Sequence, residues 1–219
     1  MRLTVGEGEV VALVGPSGAG KTTLLNVLNL SLGLSGGRLE LFGQAVGERR
    51  RLQRLIGTVY QRFELVPSLR VIHNLNAGRL AEWPAWKAFW SLLYPLGVRE
   101  ARRVLERVGM GEKLFERTDR LSGGQLQRVA IARMLLQDPR LILADEPVAS
   151  LDPVLGREVL GLLRAIALEG GRGLVVSLHD VGLARGFCDR MVGVKGGEVM
   201  FNLPIDAVGD DLLGRLYEV

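Results

Sequence analysis

Short, wholly apolar runs alternate with amphipathic stretches along this chain. That alternation predicts an α/β protein with a mostly parallel sheet, because strands covered by helices on both faces read as unbroken apolar runs. Residues 10–14 (Val-Val-Ala-Leu-Val), 141–144 (Leu-Ile-Leu-Ala) and 174–178 (Leu-Val-Val-Ser-Leu) are three such runs. Residues 38–42 and 56–60 predict further strands, each bounded by glycine or polar side chains. Residues 191–195, then Gly196-Gly197, then 198–201 predict a hairpin with a two-glycine turn. Residues 68–120 carry no strand signal; they are rich in Arg, Glu, Leu and Ala, with breakers at Pro84, Pro95 and Gly97. This stretch predicts a helical subdomain inserted into the sheet protein, so that residues 1–67 and 121–219 form one core.

Composition narrows the classes only a little. The 219 residues are 47% hydrophobic and 24% charged, which is ordinary for a globular chain. A single cysteine, Cys188, excludes an internal disulfide framework, and no Cys/His cluster has zinc-site spacing. The longest apolar stretch, residues 83–98, holds Lys87 and two prolines and is too short to cross a bilayer. With no signal-peptide pattern at the start, the expectation is a soluble, cytoplasmic chain. Net charge is +4, a mild excess that suits nucleic acid, anionic lipid headgroups or nucleotide phosphates equally.

The chemistry begins after the first strand. Gly15-Pro16-Ser17-Gly18-Ala19-Gly20-Lys21-Thr22 matches G-x-x-x-x-G-K-[ST], with Thr23 next to it. Glycines let the backbone curl so that successive N–H groups point at phosphate oxygens, and the helix starting near Lys21 adds its positive dipole end. Lys21 is suited to the β- and γ-phosphates and the Thr22 hydroxyl to Mg²⁺. Asp145 and Glu146 end the 141–144 strand, where a parallel sheet binds ligands. Asp145 is suited to hold Mg²⁺ through water and Glu146 to polarise an attacking water. His179 follows a third strand in the same way and is expected at the γ-phosphate, whereas His73 is read as structural.

Leu121-Ser122-Gly123-Gly124-Gln125 stands between the phosphate loop and the Asp-Glu strand, followed by Gln127 to Arg133 and by Ala149-Ser150-Leu151-Asp152. By itself Ser122 would be a helix N-cap, with glycine amides and a helix dipole able to bind a γ-phosphate. In this order the motifs resemble the ATP-binding-cassette (ABC) ATPases across nearly the whole chain. The resemblance implies a P-loop ABC fold, a mostly parallel core sheet with an antiparallel β edge and an inserted helical subdomain. It also implies a head-to-tail homodimer sandwiching two ATP molecules, each between one copy's phosphate loop and the other's Ser122, Gly123, Gly124 and Gln125. By the same matching Gln61 is the loop glutamine that contacts Mg²⁺ and water. Asp152 is the residue signalling across the dimer, and His179 the switch histidine.

Residues 56–75, residues 144–152 and a Trp- and Leu-rich span at 79–98 resemble the phosphonate/phosphate-import branch. That implies an energy-coupling ATPase with transmembrane permease subunits and, indirectly, a substrate-binding protein, peripheral on the cytoplasmic face of the inner membrane. No nucleic-acid partner is expected. The alternatives are a lipoprotein-release or macrolide-export ATPase, which shares Ile-Leu-Ala-Asp-Glu-Pro at 142–147, and a soluble mechanical or nucleic-acid ATPase. Cassettes of this family carry about twenty more residues before the phosphate loop, with an aromatic that stacks on adenine (a length implied by the resemblance); here nothing aromatic precedes Phe42. The expectation is that stacking is absent, supplied elsewhere, or lost to a late start. Trp83, Trp86 and Trp90 fall at spacings of one helical face, which predicts either subdomain core or an exposed patch for a transmembrane partner.

Overall fold

The computed structural model describes residues 3–80 and 83–218. Ala81 and Glu82, within the 79–98 span, lie outside the described residues. Among the described residues there are eight strands: β1 (Val10–Val14), β2 (Glu40–Leu41), β3 (Gln44–Ala45), β4 (Ile56–Val59), β5 (Leu141–Asp145), β6 (Gly173–Ser177), β7 (Arg190–Lys195) and β8 (Glu198–Pro204). Nine α-helices accompany them in the same residues: α1 (Lys21–Leu28), α2 (Arg49–Gln53), α3 (Val71–Ala77), α4 (Ala85–Leu93), α5 (Val98–Arg107), α6 (Gly123–Leu135), α7 (Pro153–Glu169), α8 (Val181–Phe187) and α9 (Asp210–Tyr217).

Six of the described strands form one sheet in the order β4-β5-β6-β1-β7-β8. The first five run parallel, and β8 returns antiparallel to β7. Side-chain alternation explains why the central strands are apolar throughout. Val10, Ala12 and Val14 of β1 enter one hydrophobic cluster with Ile142 and Ala144 of β5. Val11 and Leu13 enter a second cluster with Leu141, Leu143 and Leu25 of α1. Each strand thus feeds a helical layer on either face, and every residue of β1 is buried.

The first cluster continues through Val71, Ile72 and Leu75 of α3 and Ala101 and Leu105 of α5. The described residues of the 68–120 stretch therefore carry three α-helices and share an apolar core with the sheet. Two short 3-10 turns, at Gly111–Lys113 and Thr118–Arg120, lead from it into α6. His73 sits in α3 with its ring Nδ1 2.9 Å from the Ser91 carbonyl, a packing contact.

Two sequence expectations need correcting. The strand over 38–42 shrinks to the two residues of β2, because Phe42 (φ 54°) and Gly43 (φ 75°) form the left-handed turn of a tight hairpin into β3. The three tryptophans do not share one helix: Pro84 precedes the first residue of α4, leaving Trp83 outside it. Trp83 packs instead under two cations, Arg79 at 5.7 Å and Lys87 at 4.7 Å from its ring centre. The core expectation for this face also fails, since Trp86, Phe89, Trp90 and Tyr94 are exposed.

Candidate active site

The sheet order brings four loops into one row. Read along the carboxyl ends of β4, β5, β6 and β1, they carry Gln61, then Asp145 and Glu146, then His179, then the phosphate loop. This row follows from parallel pairing: every strand in it points the same way, so every following loop emerges on one edge.

The phosphate loop is seated on β7. A Cβ added to Gly15 (φ 149°) would lie 2.0 Å from the Val194 carbonyl oxygen, so only glycine fits there. The Gly197 amide, in the β7–β8 turn, donates to the Ala19 carbonyl at 2.9 Å and braces the loop from below. Gly20 (φ 102°) begins α1 without a side-chain cap. The helices α6, α7 and α8 are capped by Ser122, Asp152 and Asp180. The first amides of α1 therefore face the loop with their positive partial charge available to an anion.

Lys21 is buried, and its Nζ donates to the Gly15 carbonyl at 2.7 Å and the Pro16 carbonyl at 3.0 Å. Burial pulls its pKa below the ordinary lysine value, while the nearby Glu146 and Asp145 carboxylates oppose that shift. Ser17, Gly18, Thr22 and Thr23 are exposed around it, Pro16 and Gly20 half-buried and Ala19 buried. The loop thus combines uncapped helix amides, a cation folded onto its carbonyls and open hydroxyls.

Glu146 has a left-handed backbone (φ 47°), which for a residue with a Cβ costs about 1–2 kcal/mol. Ser177 holds it there. The β5–β6 register sets Asp145 opposite Ser177. The Ser177 hydroxyl donates to Asp145 Oδ1 at 2.7 Å and accepts from the Glu146 amide at 2.8 Å. The turn aims the Glu146 carboxylate at His179, with Oε1 2.5 Å from Nε2. Thr22 at the start of α1, Asp145 at the end of β5 and Gln61 in the loop after β4 carry a hydroxyl, a carboxylate and an amide oxygen, hard donors of the kind Mg²⁺ takes with the balance from water and phosphate. No group of three or more His, Cys, Asp or Glu capable of holding a metal occurs among the described residues.

Gln61 is exposed two residues beyond β4 and lines a cavity of about 540 Å³ with Phe63, Leu121, Leu126 and Ser150. The loop is tied to α6 by Arg133, whose guanidinium donates to the Glu64 carbonyl at 2.6 Å and the Phe63 carbonyl at 3.3 Å. Burial lowers the Arg133 pKa against the opposing pull of Glu64. Sequence reasoning missed both Arg133 and Ser177, since neither an arginine in a helix nor a serine ending a strand announces such a role.

The Leu121–Gln125 motif lies at the start of α6. Ser122 and Gln125 form a capping box: Gln125 Oε1 accepts from the Ser122 amide at 3.0 Å and the Ser122 hydroxyl accepts from the Gln125 amide at 3.4 Å. Ser122 and Gly123 are exposed, Gln125 half-buried, and Gly124 is buried against Leu155. Asp152 is also exposed and caps α7 through Oδ1, which accepts from the Val154 and Leu155 amides at 3.0 Å each.

The chain is similar to known proteins. Residues 1–149 match the family described as ABC transporter. The phosphonates import ATP-binding protein PhnC 2 of Pseudomonas aeruginosa is 48% identical over 99% of this chain and 83% of its own length. Among solved structures, cbiO1 of Clostridium perfringens, part of the ABC transporter complex cbiONQ, superposes with a TM-score of 0.81. It is 28% identical over 94% of this chain and 81% of that one. The dimeric, post-hydrolysis ATP-binding cassette MJ0796 bound to ADP and Pi gives 0.77 at 30% identity over 93% and 88%. The family match over residues 1–149 and the 48% identity over nearly the whole chain, on a fold with this row of strand-end loops, place the chain in the ABC transporter family of ATP-hydrolysing cassettes.

Proposed function

We propose that this chain is the ATP-hydrolysing, energy-coupling subunit of an importer for phosphonate or a related phosphorus oxyanion. Its relative at 48% identity is named for phosphonate import. The observation that carries the catalytic part is the Glu146–His179 contact of 2.5 Å beside the phosphate loop.

The cassette works as a head-to-tail pair. The phosphate loop of one copy, residues 15–23, takes the ATP phosphates through its amides and Lys21. The exposed Ser122 and Gly123, with Gly124 and Gln125, close over the γ-phosphate from the other copy, and Asp152 lies at the same seam. One detail favours that seam: Ser122 and Gly123 at the α6 start are exposed and so open to a second chain. Thr22, Asp145 and Gln61 are the residues that would hold Mg²⁺, which when bound would supply charge neutralisation. Glu146 accepts a proton from the attacking water, and His179 fixes that carboxylate while reaching toward the γ-phosphate. Pairing on ATP and separating after hydrolysis moves the helical subdomain, residues 68–120, through the Gln61 loop and Arg133.

The membrane partners are permease subunits, with a substrate-binding protein acting through them. Among the described residues no helix is long and apolar enough to cross a membrane, which fits a subunit docked at the cytoplasmic face. Deleting the gene should abolish growth on phosphonate or phosphite as sole phosphorus source, and plasmid-borne wild type should restore it. Undiminished growth of the deletion strain on both would overturn the import reading.

A further inference from the structure

We infer that the aromatic face of α4 is a seat for an anionic membrane surface. The inference rests on the membrane-side placement proposed above and extends it from protein partners to lipid.

Four large aromatics stand out from α4 and the residue after it: Trp86 is 67% exposed, Phe89 60%, Trp90 47% and Tyr94 58%. Positions 86, 90 and 94 step by four and form one stripe, with 89 beside it. The rings support one another, Phe89 edge-on to Trp90 at 6.2 Å and Trp90 tilted on Tyr94 at 5.5 Å. The opposite face of the helix is anchored. Ser91 is buried, its hydroxyl donates to the Ala88 carbonyl at 2.7 Å, and its own carbonyl lies 2.9 Å from His73 Nδ1. After the helix, Asn76 donates to the Leu96 carbonyl at 3.0 Å. Both outside ties come from α3, one to Ser91 within α4 and one to Leu96 after it.

Charge selects the occupant. No acidic residue occurs from Trp83 to Arg99, and the one charge on α4 is Lys87. Lys87 and Arg79 flank the stripe over the Trp83 ring. Residues 68–120 hold ten basic and six acidic side chains, which is the whole of the chain's formal +4. Tryptophan and tyrosine prefer the boundary between apolar and hydrated layers, and a short helix with such a face and a cationic flank lies in a headgroup plane. Anionic lipid also rewards each nearby cation.

Two of the chain's three tryptophans, Trp86 and Trp90, stand on this face and the third, Trp83, lies just before α4, so intrinsic emission of the purified full chain reports on this region. With vesicles containing phosphatidylglycerol the emission should shift to the blue and the chain should co-sediment; with phosphatidylcholine alone it should do neither. High salt should weaken the binding. Trp86→Ser/Trp90→Ser should lower co-sedimentation at least about tenfold while basal ATP turnover is unchanged, and Trp86→Phe/Trp90→Phe should keep most of it. If the serine pair fails to fold, Lys87→Glu provides the same test through charge. Absence of binding to phosphatidylglycerol vesicles, binding equal in wild type and the folded variants, or binding that appears only with a permease present would each overturn the lipid seat. A lipid-binding failure leaves the growth phenotype intact, whereas undiminished growth after deletion with lipid binding retained overturns the transport reading alone.

Discussion

Replacing Ser177 by alanine should weaken both the fold and the chemistry, by amounts that the geometry sets. The Ser177 hydroxyl is fully buried and makes two bonds, one to the Asp145 carboxylate and one from the Glu146 amide. A hydrogen bond to a charged group contributes about 1.5–3 kcal/mol, and a buried N–H left without a partner costs about 1–3 kcal/mol. Asp145 is half-buried and can regain part of its loss from water, so a net destabilisation of about 2 kcal/mol is expected. For a chain of this size that corresponds to a fall in Tm of about 4–8 °C. The effect on turnover is separate. Glu146 sits in a strained left-handed conformation that the Ser177 bond helps hold, and freeing it lets the carboxylate wander from its place. The expected loss is about tenfold in kcat with KM for ATP changed by less than about twofold, because the phosphate loop is untouched. Steady-state ATPase kinetics and a thermal melt of the same preparation decide the matter. An unchanged melt with unchanged kcat would refute the reasoning, as would a change confined to KM.

Three further outcomes follow from single sites. Gly15→Ala would force a Cβ to within 2.0 Å of the Val194 carbonyl at a φ of 149° and should cost about 3–5 kcal/mol, read as loss of soluble protein; Gly36→Ala, with nothing near its Cβ, should melt like wild type. Burial pushes the Cys188 thiol up to about 12, so a thiol reagent at neutral pH should label the native chain only as fast as it opens and the denatured chain at once. Lys21 has its pKa lowered in the fold below the usual 10.5, so its charge costs stability while it is protonated. That cost is relieved as pH rises through the lowered pKa. In the same alkaline window ATP affinity should fall as the cation is lost; nucleotide titrations against pH should show this in wild type and not in Lys21→Arg.

Much of this architecture is legible in the order of the amino acids, for identifiable reasons. Strand β1 is buried on both faces, so its five residues must all be apolar, and the same holds for the interior of β5 and β6. The phosphate loop is legible because its backbone curl demands glycines at fixed spacing. Other features depend on tertiary register and leave no local mark. Ser177 matters only because the β5–β6 pairing sets it opposite Asp145. Arg133 matters only because the Gln61 loop folds back to α6. Periodicity put Trp86 and Trp90 on one face, but periodicity is the same whether a face is covered or bare; the exposure came from what packs beneath, at Ser91 and His73. The short β2 was misread because Phe42 looks like a strand residue, while its positive φ belongs to the turn.

On the proposal above, Glu146 activates the attacking water inside a pair of chains closed on ATP. Glu146→Gln keeps the size and removes the base. Size-exclusion chromatography with ATP and Mg²⁺, run beside a turnover assay, should give a stable ATP-dependent dimer whose hydrolysis is slower by at least about 100-fold. Near-normal turnover would remove Glu146 from the role of base, and a variant that binds ATP and stays monomeric would remove the ATP-closed pair.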